Sequence, residues 1–343
     1  MQLTRAGGDN RLIDLVRDDS VASVDAALGL ALELGREGVF PGSGNTAQLW
    51  EALAHVAALD VGAARIIEPH LDALAIFSES DVAADVDRTW GVFASEAPGT
   101  TLVAHETASG WTLSGTKQWC SLASRLDSAL VTASGRLWAV DLHHAGVTVD
   151  DGAWHARGLV EIPSGPVTFE NVTAVPVGEP GWYLARSGFT WGGIGVAACW
   201  YGGAVGVARA VFTAAGSRPN DFVLMHLGAI DEQLESARLA LADAARLVDD
   251  GAPVRTVAKR VRSTVARTAE DVLARAAHAL GPAPLALDER FSHRNNGHDG
   301  CVERIAAHSL CGRPRLDRGG NQSLDGGDGC WVRRSARCCQ QCE

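Results

Sequence analysis

Lysine is nearly missing from this chain: Lys117 and Lys259 are its two, beside 28 arginines. Positive charge as a whole is outweighed, giving a formal net charge of −11 over 343 residues. That balance speaks against a nucleic-acid partner or an anionic membrane surface. The first ten residues, MQLTRAGGDN, hold no apolar run behind a basic start. No secretory leader is therefore read there, and a cytoplasmic location is expected. P-loop, H-E-x-x-H and G-x-S-x-G signatures are also missing, which removes the commonest phosphate-cradling, zinc-protease and serine-hydrolase readings. GGIGVAAC (192–199) lacks the full dinucleotide spacing and no strand precedes it.

Cysteine is scarce until late. Cys120 and Cys199 are the two before residue 300, and Cys301, Cys311, Cys330, Cys338, Cys339 and Cys342 crowd the end. Their spacings fit no zinc finger or ribbon, so no metal site is expected. From Arg294 the apolar periodicity stops, and Gly, Arg, Asp and Cys take over. Eight arginines against six acids give this tail a net +2 and leave −13 on the rest. The expectation is a foreign, disordered tail, such as an out-of-frame translation of a GC-rich gene, over 294–343.

With 46% hydrophobic residues, the rest can bury a sizeable core. Leu49, Leu53, Val56 and Leu59 recur at helical spacing within Thr46 to Phe77. Residues 89 to about 180 alternate in short runs (SALVTA, RLWAVDL, GVTVD, PVTFENVTAV) punctuated by Gly, Ser, Asp and Pro, the sign of an antiparallel barrel or sandwich. Helical spacing resumes with Leu224, Leu227, Ile230, Leu234, Ala237, Leu241 and Ala244, then Val254, Val257, Val261 and Val265, until Gly281-Pro282. The fold class expected is α+β. It comprises a helical domain (1–88), a middle antiparallel barrel-like β domain (89–182), a C-terminal helical bundle (183–293) and the tail.

Ser187 to Ala208 carries no charge and is long enough to span a bilayer, but seven of its residues are glycine. A buried helix that lets a neighbour's backbone approach closely is expected instead. His143-His144 reads as a solvated strand end. The most informative stretch is WTLSGTKQWCSLA (111–123). In an extended strand Trp119 and Ser121 share one face, so a planar ring can stack on the indole while a hydroxyl meets its edge.

That stretch resembles the flavin-contacting segment of the acyl-CoA dehydrogenase flavoproteins. GVFASEAPGT (91–100), PVTFENVTAVPVGEPGWYLARSGF (166–189) and ARIIEPHLDALAIF resemble further parts of the family, together covering about residues 20 to 293. The resemblance implies an FAD cofactor. It places Trp119 against the ring face, Ser121 beside the hydride-accepting edge, and Ser95 with the backbone at Phe93 along the pyrimidine edge. There, N–H donors stabilise developing negative charge. Thr100 falls at a small hydroxyl position that meets substrate. An acyl-CoA or related small molecule, an electron acceptor and further copies of the chain are the implied partners.

The departures bear on the reaction. In many members the base is a Glu late in the C-terminal domain, where this chain has its Cys-rich tail. Others carry it early in the Gly-rich helix, yet no Asp or Glu lies between Gly181 and Asn220. No catalytic base is assigned. Arg218 and Phe222 stand one residue further apart than the family's Arg-x-x-Phe, and Gln233 is well downstream of the usual Gln. The expected activity is α,β-dehydrogenation of an acyl thioester, with a flavin monooxygenase of the same fold or a non-catalytic degenerate homologue as alternatives. Glu303 and Glu343 are the acids the tail would offer if it were native.

Overall fold

The computed structural model describes residues 11–217, 219–288, 291 and 292. The expectations for Arg218 and for the tail, with its six late cysteines, Glu303 and Glu343, lie outside the described residues. Helices come first: α1 (Arg11–Asp14), α2 (Val24–Arg36), α3 (Thr46–Leu59) and α4 (Val61–Ser78). The single stripe read over 46–77 is two helices. Asp60 is extended at φ −153°, ends α3, and caps α4 by accepting the Ala63 N–H.

Between residues 90 and 177 run seven strands: β1 (Trp90–Phe93), β2 (Leu102–Thr107), β3 (Gly110–Lys117), β4 (Ser128–Ala133), β5 (Arg136–Asp141), β6 (Val147–Val149) and β7 (Val167–Val177). They form one open sheet in the order β1-β4-β5-β7-β3-β2, with β6 also on β7. This corrects the barrel-like, purely antiparallel expectation. Among the described residues β1 pairs only with β4, in parallel, and β2 pairs only with β3, so the two edges do not join. The β2–β3 hairpin lies between β1 and β4 in sequence and supplies the long connection that a parallel pair needs.

The chain then enters α5 (Trp182–Ala185), α6 (Ser187–Ser217), α7 (Asp221–Asp249), α8 (Arg255–Leu280) and α9 (Pro282–Leu287). Ile230, Ala237, Leu241 and Ala244 of α7 are buried as the spacing predicts, but Leu224 is half exposed and the buried stripe begins instead with Val223 and His226. α6 is long and apolar enough to cross a membrane, and 78% of its most apolar stretch is buried inside this fold. Its glycines explain the burial. A Cβ on Gly206 would lie 2.6 Å from Ala58 O, and one on Gly202 would overlap Ala54 O outright. Only bare backbone lets α3 and α6 pack this closely.

Candidate functional site

β3 ends at Lys117, and residues 118–127 leave the sheet as a turn rather than continuing the strand. Trp119 stands at φ +65° and Leu122 at φ +57°, a left-handed conformation that non-glycine residues adopt only where surroundings enforce it. Two backbone bonds do the enforcing. The Cys120 N–H donates to Gly165 O (3.0 Å) and the Leu122 N–H to Pro163 O (2.8 Å). Cys120, Leu122 and Ala123 are consequently buried, while Trp119 is turned outward and is 49% exposed. The strand-face expectation is thus replaced by a turn, yet Trp119 and Ser121 remain two residues apart on one clamped segment. Burial pushes the Cys120 thiol up to about 12, so it is a packing residue and not a nucleophile.

Ser121 is half-buried, with its Oγ 2.8 Å from Ser164 Oγ. Ser164 donates to Ile162 O (3.2 Å), so its single proton is used. Ser121 therefore donates to Ser164, and its own lone pairs remain as acceptors. A hydroxyl so placed suits an N–H on the edge of a bound ring.

The other predicted segment is strand only as far as Phe93. That side chain is buried at 3% exposure, so a ligand would meet the backbone beside it rather than the ring. Ser95 follows in the loop and is half-buried. Ala97-Pro98-Gly99-Thr100 then forms a turn, with Gly99 at φ +81°. The Thr100 hydroxyl donates to Ala97 O at 3.3 Å, which gives it a turn-closing role. His143 is exposed, 3.3 Å from Asp127 Oδ1, and His144 accepts the Gly146 N–H, as a solvated strand end does. No three His, Cys, Asp or Glu side chains among the described residues could together hold a metal ion.

A charged cluster that the sequence reading missed lies against the start of α6. Glu68 is 7% exposed and accepts from Arg65 at 2.7 Å. Burial is the main cause that raises its carboxyl to about 7, against the opposing pull of Arg65. Asp72 is also raised by burial, opposed by Arg186, which lies 3.5 Å away and bonds Glu79 at 2.6 Å. Arg262 reaches in from α8 to Gly193 O and lies over the Trp200 ring. Room for these groups comes from the glycines: a Cβ on Gly192 would sit 2.8 Å from Asp72 Oδ1. The signal was present in the sequence as Glu68 and Asp72 interrupting the apolar run RIIEPHLDALAIF. On the far face of α4, His70 is fully buried and accepts the Trp90 N–H at 3.2 Å; burial lowers it to about 4.

Two surface cavities fall elsewhere. One of about 610 Å³ lies between α7 and α8 beside Gln233, Arg267 and Asp271, and one of about 440 Å³ lies beside Phe40, Phe77 and Val82. Neither includes Phe93, Ser95, Trp119 or Ser121.

Residues 179–305 match the family "Acyl-CoA dehydrogenase, C-terminal domain". No curated protein matches the chain. Among solved structures, one titled as the electron transferring flavoprotein of Acidaminococcus fermentans aligns with a TM-score of 0.73 at 14% identity, over 91% of this chain and 100% of that one. PigA, solved with FAD and proline, aligns at 0.70 and 14% identity over 90% and 99%. KijD3, solved with FMN and a dTDP-amino-keto sugar, aligns at 0.67 and 18% identity over 92% and 97%. At such identities the likeness shows the fold.

Proposed function

The chain has the acyl-CoA dehydrogenase-like flavoprotein fold and carries that family's C-terminal domain; from this premise we propose that it is a flavin-dependent oxidoreductase of a small-molecule substrate. The observation that carries the reading is Trp119. Its indole is held outward in a left-handed conformation, with the chain just after it tied down by two backbone bonds, when burial would be the cheaper place for it. A planar cofactor ring covering that indole accounts for both the exposure and the strain. PigA and KijD3 were solved with FAD and FMN respectively, which supports a flavin as that ring.

In this reading Trp119 would shield one ring face from water, and the Ser121 oxygen would accept from the N–H that the hydride-accepting edge carries in the reduced ring. Ser95 and the backbone at Phe93 line the pyrimidine side. Thr100 borders the substrate through its turn. Flavin would supply the redox chemistry, accepting a hydride or activating oxygen, while the protein orients and excludes solvent. FAD is the form expected from the family resemblance. The reaction proposed is α,β-dehydrogenation of an acyl-CoA-like thioester, which requires a base for the α-proton.

A second reading, an oxygen-dependent flavin monooxygenase, is favoured by the acids. α6 carries no carboxylate, and the nearby Glu68 and Asp72 are already engaged by Arg65 and Arg186. The test is reconstitution with FAD or FMN. Bleaching of the visible band by acyl-CoA under nitrogen supports dehydrogenation. Reoxidation by air of dithionite-reduced flavin with oxygen transfer to an added amine or aromatic substrate, and no bleaching by acyl-CoA, supports the second. A purified chain that retains neither flavin overturns both.

A further inference from the structure

The two segments assigned to the ring, 93–100 and 118–123, share no strand ladder. β1 is bonded to β4 alone, whereas β3, which leads into Trp119, is bonded to β2 and β7. The sheet connects them through β4, β5 and β7, and a tie from the end of β3 to the loop after β1 holds them directly. Lys117, the last residue of β3, is 3% exposed. Its ammonium donates to Glu96 Oε1 at 2.7 Å, to Thr132 Oγ1 at 2.8 Å and to Thr132 O at 2.9 Å. Three N–H donors thus find three acceptors. Thr132 Oγ1 donates in turn to the same Glu96 oxygen at 3.0 Å. Thr132 is on β4, one residue past Val131, which pairs with Phe93. The triad therefore joins the end of β3, strand β4 and the loop after β1.

We propose that Lys117 and Glu96 are positioning residues that latch the 94–100 loop at a fixed separation from Trp119, so that the cradle is formed before the flavin arrives. This rests on the flavin reading above. A buried ammonium is costly unless fully bonded, and apart from Lys259 this chain otherwise meets its cationic needs with arginine. Guanidinium is planar and broad, and cannot converge three donors on one carboxylate oxygen and both oxygens of a single threonine. A compact ammonium can. The ends of the loop are held separately, by the β1–β4 ladder and by the Thr116 N–H to Thr101 O bond at 3.1 Å. Glu96 is the tie in the middle. Its own side chain is 77% exposed, so its contribution lies in where it holds the loop and not in burial.

The latch makes a separable prediction, because a fixed cradle affects ligand binding more than it affects folding. FAD and FMN dissociation constants are measured by fluorescence quenching for the wild type and for the variants Glu96→Ala, Glu96→Gln and Lys117→Arg. Thermal midpoints of the flavin-free proteins are followed in parallel. Glu96→Ala is expected to weaken flavin binding roughly tenfold, the equivalent of one charge-assisted hydrogen bond, and to lower the flavin-free midpoint, because the buried ammonium loses one of its three acceptors. Glu96→Gln, which keeps an acceptor oxygen, should recover part of the loss, whereas Lys117→Arg should not match the wild type. Should Glu96→Ala fail to fold, Glu96→Gln decides: weaker flavin binding at an unchanged midpoint supports the latch. Wild-type affinity in the folded Glu96 variants overturns it while leaving the flavin reading intact. A wild-type protein that binds neither flavin overturns the flavin reading and the latch together.

Discussion

Glu68→Gln is the substitution whose outcome the structure constrains most tightly. Burial raises the folded-state carboxyl from 4.5 to about 7. The folded chain then holds the Glu68 proton more firmly than the unfolded one. Stability from this group is complete below about pH 4.5 and is lost as pH rises through about 7. His70 has the opposite sign. Its folded value is depressed from 6.5 to about 4, so its contribution is present above 6.5 and is lost as pH falls through about 4. Over about pH 4.5 to 6.5 the two slopes oppose each other in the native protein. Gln cannot titrate, but its amide oxygen can still accept from Arg65. A tenfold change in proton affinity is about 1.4 kcal/mol, so the Glu68 displacement corresponds to a loss on the order of 3 kcal/mol. The stability of Glu68→Gln relative to wild type should therefore grow by about that amount from pH 4.5 to about 7 and then level off. Urea unfolding of both proteins without added flavin reads this directly, since a bound ligand would add its own linkage. Parallel stability curves across that interval would refute the reasoning, because they would mean that Glu68 titrates at its ordinary value.

Trp119→Ala should lower flavin affinity by the stacking contribution of about 0.5–1.5 kcal/mol and leave far-ultraviolet circular dichroism unchanged, as the indole is 49% exposed; undiminished flavin retention would count against the site. Ser121→Ala removes the acceptor at the ring edge, so potentiometry should show a shifted flavin reduction potential with a smaller change in affinity. Gly202→Ala should destabilise the protein by about 1–3 kcal/mol through overpacking against Ala54 O, less about 1 kcal/mol returned by helix propensity; a raised thermal midpoint would show that α3 and α6 can move apart freely.

Much of this molecule was legible in its sequence, because local patterns set local structure. The alternating runs from 89 to about 180 became strands, and the leucine and valine spacings of α7 and α8 became buried stripes, since period-2 and period-3.6 burial leave direct marks on residue order. The Trp119 and Ser121 segment was singled out on its residue types, although as an extended strand rather than the turn it forms. Three things were not legible. The open sheet depends on which strand edges meet, and β1 pairs with β4 in parallel across a connection that contains the β2–β3 hairpin. The outward indole depends on backbone bonds to residues 163 and 165, more than forty positions away. The pairing of Lys117 with Glu96 and Thr132, like the gathering of Glu68, Asp72, Arg186 and Arg262 around the glycines of α6, joins side chains from separate elements. Electrostatic and hydrogen-bond partners act over a few ångströms of space, and no periodicity along a chain encodes which distant residues will occupy that space.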